Sequence, residues 1–191
     1  MKLIKLWYHI IAAIQRVFYK LLYGSRLQIG KNVTWRRGFS IMMSKEARVV
    51  IGDNCFFNND CSIAANNLVT IGVGSGLTCR VFFGGGGGTI FGESVKIYDH
   101  NHRFHEDKPI KEQGYSNGEV HIGGHCWIGS GVIILKGADI SDNCVIGAGC
   151  VVDGCVPKGS VVTADRSSRI TEIRRETTGE ATADAQCSEV R

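Results

Sequence analysis

From Ile122 onward a β-branched apolar residue returns every six positions: Ile122, Ile128, Ile134, Ile140, Ile146 and Val152. Four positions after each stands another small or apolar residue: Cys126, Val132, Ala138, Cys144, Cys150 and Val156. The position directly after is often small, as at Gly123, Gly129, Ser141 and Gly147. A helix of about 3.6 residues per turn cannot hold a six-residue repeat on one face, and a strand alternating every second residue does not produce one. A coil with three short sides per turn does. Three hexapeptides make one turn, and the branched residue points inward on each side. Gly, Asn and Asp take the corners, where positive φ costs them little. Stacked turns bury one continuous apolar column and pair their backbones along short parallel strands.

The same register runs earlier, less evenly. Ile51, Phe57 and Ile63 are six apart, with Cys55 and Cys61 in the small slot. Ile71, Leu77 and Phe83 follow, with Ser75, and then Phe91 and Ile97, with Val95. The steps from 63 to 71 and from 83 to 91 are eight, so two residues are added at each. Ile29 with Val33 reads as a first, isolated coil. Residues 98–121 break the pattern between good repeats. Such long excursions from a solenoid usually carry function.

Residues 1–23 form a different pattern. Leu3, Leu6, Trp7, Ile10, Ile11, Ile14, Val17, Phe18, Leu21 and Leu22 recur at helical spacing, interrupted by Lys2, Lys5, Arg16 and Lys20. A short amphipathic helix is predicted, too interrupted by charge to span a bilayer. Two readings of it stay open: packing on the body or a neighbouring subunit, or lying on an anionic membrane surface. The chain therefore divides into this helix, a β-helix over 24–170, and a polar C-terminal tail over 171–191. With 191 residues and a net charge of +4, it is one domain with no strong call on nucleic acid. Eight Cys occur without any CxxC, mostly in the small slot of the repeat. They read as reduced thiols of a cytoplasmic protein, held at most against the inner face of the membrane.

The register resembles the hexapeptide-repeat acyltransferases. The fold this implies is all-β: a left-handed parallel β-helix, with a short N-terminal α-helix and a long excursion loop at about 98–121. The excursion opens Ile97-Tyr98-Asp99-His100-Asn101-His102-Arg103-Phe104-His105. Three His beside an Asp suit chemistry that needs a base near neutral pH. This stretch is similar to the maltose and galactoside O-acetyltransferase branch, and more closely to its polysaccharide-modifying members. The resemblance makes His100 the general base and leaves His102 and His105 as lesser positions. It assigns Asn58 to the acceptor hydroxyl, with Asp60 beside it. It sets Trp127 and Ser130 by the pantetheine arm and thioester, and Ala148 on the flat strip along that arm. Lys158 and Arg169, with Arg166, Arg174 and Arg175, offer charge for the CoA phosphates.

The implied activity is acetyl-CoA-dependent O-acetylation of a sugar in capsule or lipopolysaccharide synthesis. The implied assembly is a homotrimer with sites between subunits, acetyl-CoA as co-substrate and no metal. Two departures stand out. The last turn reads Val152-Asp153-Gly154-Cys155-Val156-Pro157, without the Lys that the family carries there. Residues 84–88 are five Gly, and no GK[ST] follows, so they are not a nucleotide loop. Three alternatives remain. One is a γ-carbonic-anhydrase-like zinc enzyme using His100, His105, His121 or His125. The others are a serine O-acetyltransferase and a β-helix that only scaffolds.

Overall fold

The computed structural model describes residues 2–72 and 88–164. Helix α1 (Lys2–Tyr23) comes first. The chain then winds in three-sided coils. Coil one is β1 (Leu27–Ile29), β2 (Thr34–Trp35) and β3 (Ser40–Met43). Coil two is β4 (Arg48–Ile51), β5 (Phe56–Phe57) and β6 (Ser62–Ala65). Coil three is β7 (Leu68–Ile71), β8 (Ile90–Phe91) and β9 (Lys96–Tyr98). The hairpin β10 (His100–His102) and β11 (Tyr115–Asn117) leaves the stack. Coil four is β12 (Glu119–Ile122), β13 (Trp127–Ile128) and β14 (Ile133–Ile134). Coil five is β15 (Asp139–Ile140), β16 (Val145–Ile146) and β17 (Val151–Val152). β18 (Cys155–Val156) and β19 (Val161–Val162) begin another turn.

Three parallel sheets result, one per side of the coil. Side A stacks β1, β4, β7, β12, β15 and β18. Side B stacks β2, β5, β8, β13, β16 and β19, and side C stacks β3, β6, β9, β14 and β17. The registers align the inward residues in columns. Ile51, Ile71, Ile122 and Ile140 stack on side A. Trp35, Phe57, Phe91, Ile128 and Ile146 stack on side B. Ile41, Ile63, Ile97, Ile134 and Val152 stack on side C. All of these are buried, and burying each such side chain is worth about 1.5–3 kcal/mol.

The small slot works as expected. Cys55, Cys61, Cys126, Cys144 and Cys150 are buried at corners. There the Cys126 thiol donates to the Ser141 carbonyl at 3.2 Å, joining successive coils. Corner residues fall in the left-handed region: Asn32, Asn54, His125 and Asn143 between sides A and B, Asp60 and Ser94 between sides B and C. Asn and Asp tolerate this conformation best after Gly.

Two expectations change and one falls outside the described residues. Ile29 and Val33 are not isolated, because the first coil continues through Trp35 and Ile41. Leu77, Ser75 and Phe83 lie outside the described residues. Among the described residues, side B passes from Phe57 to Phe91 to Ile128 in successive rungs. The excursion spans 99–118 rather than 98–121, because Tyr98 still pairs with Ala64, and Glu119, Val120 and His121 with Leu68, Val69 and Thr70.

α1 lies across the open end of coil one. Ala12 and Tyr19 are buried against it. Arg16 donates to the carbonyls of Gly30 (3.2 Å) and Val33 (3.1 Å), and the Tyr23 hydroxyl to that of Ile41 (2.9 Å). The Trp35 indole N–H donates to Gln15 Oε1 at 2.6 Å. The first rung has no coil beneath it, so its carbonyls need donors, and polar side chains win this face. As to the two readings of the helix, the apolar stripe is not packed on the body of its own chain; it faces outward.

Candidate active site

The excursion starts at the corner between sides C and A. Asp99 sits in that corner and is fully buried. Its carboxylate accepts the backbone N–H of Asn66 and of Asn67, each at 2.7 Å, from the same corner one coil earlier. The oxygen that meets Asn66 also lies 2.9 Å from His100 Nδ1. A carboxylate only accepts, so Nδ1 carries a proton, and in the neutral imidazole the lone pair is then on Nε2. The His100 side chain is 19% exposed. Its ring stands edge-on to Tyr115, with centroids 5.1 Å apart. The hairpin that supplies Tyr115 pairs His100 with Asn117. Lys136 of coil four donates to Ser116 Oγ at 2.7 Å and ties the hairpin to the same edge. Buried Gln113 closes the loop by donating to the carbonyls of Glu106 and Lys108. His102 and His105 are exposed. Asp99 escaped the sequence reading as a site residue. The signal was there, in an acidic residue directly before the His at the end of a repeat.

The acceptor and CoA candidates collect elsewhere. Half-buried Asn58 follows β5 at the corner between sides B and C, and its Oδ1 accepts the Asn59 N–H at 2.9 Å. Asp60, exposed on the same corner, offers its carbonyl to Lys96 Nζ at 2.8 Å. Asn59 donates to Glu93 at 2.9 Å, and the Glu93 N–H donates to Ser130 Oγ at 3.2 Å. The Gly149 N–H then reaches the Ser130 carbonyl at 2.9 Å, beside exposed Ala148. Asn58, Asp60, Ser130 and Ala148 therefore share one edge. Trp127 stands outward on side B, 59% exposed. Lys158 is exposed on the corner between sides A and B. Side B is thus bordered by Ser130 and Ala148 on one edge and Lys158 on the other. Arg169 and the arginines around it lie outside the described residues.

In a three-sided coil, the edge between sides C and A is opposite side B. One chain therefore holds His100 on one flank and Trp127 with its neighbours on the other, and does not bring them together.

A family model described as bacterial transferase hexapeptide (six repeats) matches residues 119–154, the stretch of unbroken register. The chain carries this bacterial transferase hexapeptide repeat and is similar to hexapeptide-repeat acetyltransferases. It is 26% identical over 159 residues to WbbJ of Escherichia coli K12, a protein named for lipopolysaccharide biosynthesis O-acetyl transfer. That match covers 79% of this chain and 74% of WbbJ. Over the first three curated relatives, the chain spans 38%, 74% and 58% of their own lengths. A hexapeptide-repeat acetyltransferase of Vibrio cholerae, solved with acetyl coenzyme A, has the same fold. Its TM-score is 0.59 at 21% identity, over 78% of this chain and 70% of that one. A maltose O-acetyltransferase of Clostridium difficile matches with TM-score 0.52 and 25% identity, over 74% and 67% of the two chains. The coil is the left-handed parallel β-helix of these hexapeptide-repeat proteins.

In this hexapeptide-repeat protein the buried thiols are poor nucleophiles. Burial pushes the thiols of Cys55, Cys61 and Cys126 above their ordinary values. The zinc alternative finds its histidines dispersed. His121 stands on side A, bonded to Thr70 Oγ1 at 2.8 Å and Glu119 at 3.0 Å, while His125 is on the corner between sides A and B. Among the described residues of one chain, no three His, Cys, Asp or Glu side chains are placed to hold a metal ion.

Proposed function

We propose that the protein transfers an acetyl group from acetyl-CoA to a sugar hydroxyl, in the synthesis of a capsule or lipopolysaccharide. The observation that carries this reading is the buried Asp99 carboxylate that fixes His100 with Nε2 free. His100 takes the proton of the acceptor hydroxyl, held by Asn58 with Asp60 beside it. The oxygen attacks the acetyl carbonyl of the thioester as the proton leaves it. The Asp99 carboxylate supports the positive imidazole. Charge on the carbonyl oxygen meets a backbone N–H or the Ser130 hydroxyl. Ser130 Oγ accepts from Glu93, so its own proton is available to donate outward. His100 then returns its proton to the departing thiol.

Acetyl-CoA would lie along side B, with Trp127 against the pantetheine arm, the Ser130 and Ala148 strip beside it, and Lys158 toward the phosphates. The site needs two chains, because His100 lies opposite side B. One subunit's edge between sides C and A would face the next subunit's side B, and a head-to-tail contact of this kind closes as a ring. A homotrimer is that ring. The outward column of side B supports a contact there: Phe56, Ile90, Trp127, Val145 and Val161 are all apolar. The reading places the protein in the cytoplasm, with α1 available to the inner face of the membrane.

The test is free-thiol release from acetyl-CoA across a panel of sugars and Ser, with His100→Ala beside the wild type. Acceptor-dependent release, lost by about 10³-fold or more in the variant, is expected. Equal release by both proteins, or none with any acceptor, overturns the reading.

A further inference from the structure

α1 turns two unlike faces in opposite directions. The inner face bonds the first rung. The outer face carries Trp7, Ile10, Ile14, Val17, Phe18 and Leu21 at helical spacing, each between 46% and 81% exposed. A contiguous apolar stripe of this length on a surface helix marks an interaction site. The charge around it is one-sided. Residues 1–45 contain nine Lys and Arg and no Asp or Glu, although the whole chain carries only +4. Lys20, Lys31, Arg36 and Arg37 are exposed at this same end of the coil. A second copy docked stripe to stripe would bring two such acid-free ends together, and they would repel. Anionic headgroups neutralise them instead, each nearby Lys or Arg adding to the attraction. No helix among the described residues is long and apolar enough to cross a bilayer, which leaves lying on one.

We propose that the N-terminal end of the β-helix docks flat on an anionic bilayer surface. The outer stripe of α1 enters the boundary between headgroups and acyl chains, and the basic first coil meets the headgroups. Docking holds the site beside an acceptor glycan carried on a lipid. This last step rests on the acetyltransferase reading; docking itself does not.

The test is flotation of the full chain with vesicles of phosphatidylcholine and phosphatidylglycerol, against vesicles of phosphatidylcholine alone. Wild type is expected to float only with the anionic vesicles, and to be released by salt. Ile14→Glu with Leu21→Glu, and separately Lys31→Glu with Arg37→Glu, are each expected to lower partitioning by about tenfold or more. Both pairs should keep wild-type thiol release with a soluble sugar acceptor. Three results overturn the proposal: wild type that ignores anionic vesicles, variants that float like wild type, or a smaller assembly mass for the Ile14 and Leu21 pair. The last would mean that the stripe joins copies of the chain. Flotation without thiol release for any acceptor would keep the docking and remove the transferase reading, and with it the lipid-borne acceptor.

Discussion

Replacing Asp99 by Asn changes one atom in a corner where three donors converge. The backbone N–H of Asn66 and the Nδ1 proton of His100 share one carboxylate oxygen, and the Asn67 N–H takes the other. A carboxamide has one acceptor oxygen, so it can serve only one side of this arrangement. With its oxygen toward Asn66 and His100, its NH₂ faces the Asn67 N–H and leaves that buried donor unpaired. Turned the other way, its NH₂ faces Nδ1, which must then accept, and the imidazole proton moves to Nε2. The first orientation keeps the base but loses the negative charge that supports the imidazolium. The second abolishes the base. An unpaired buried donor costs about 1–3 kcal/mol. For a chain of this size, each kcal/mol lowers the melting temperature by about 2–4 °C. The turnover number should fall by about 10²–10⁴, as when a catalytic His is held in the wrong tautomer. KM for acetyl-CoA should stay near wild type, because Asp99 lies opposite side B. Thiol-release kinetics measure the rate, and nitrogen NMR of the imidazole reports which nitrogen holds the proton. A variant that melts several degrees lower but turns over within about threefold of wild type would refute the positioning role. Asp99 would then be only a corner of the coil.

Trp127→Ala should raise KM for acetyl-CoA by roughly tenfold with little change in the turnover number, since the ring would bind ground state and transition state alike; initial rates against acetyl-CoA concentration check this. Phe91→Ala should cost about 3–5 kcal/mol, because the ring is fully buried and stacks on Phe57 at 4.5 Å; denaturant titration measures it. Burial raises the thiols of Cys55, Cys61 and Cys126, so the folded state holds their protons more tightly than the unfolded chain. Their contribution is therefore intact below the unfolded thiol value of about 8.5 and is lost as pH rises beyond it. Denaturation midpoints that stay flat from neutral to alkaline pH in wild type, or that fall as steeply in its Cys variants, would contradict this.

The hydrophobic register alone predicts coils four and five rung by rung, because Ile122 to Val152 are spaced without interruption. It is less legible elsewhere. Trp35 and Ile41 continue the step of six from Ile29, but a Trp in the inward slot is not the β-branched residue that marks the later coils, so coil one looked isolated. After Ile71 the next described inward residue is Phe91, and Leu77 and Phe83 fall among the undescribed residues between them. Where a corner insertion leaves and returns is set by strand pairing, which a single-chain period does not encode. α1 shows the opposite failure. Its apolar stripe was legible, but not that the open rung would prefer Arg16, Tyr19 and Tyr23 and turn the stripe away. His100 was legible as chemistry because three His stand within six residues beside an Asp, and the resemblance singled out the first of them. Asp99 was not, because an Asp at a repeat corner looks like a turn residue until its oxygens meet Asn66, Asn67 and His100. The separation of His100 from Trp127 is invisible in sequence distance and follows only from counting the sides of the coil.

The cover that α1 places over coil one also decides how such a solenoid stops. A bare terminal rung would recruit extended strands from other molecules, as a growing fibril end does. Arg16 and Tyr23 occupy those acceptor sites from above. Trimming residues 1–23 to obtain a better-behaved sample should therefore do the reverse. The trimmed chains would seed one another end to end, into particles that scatter light and bind amyloid dyes.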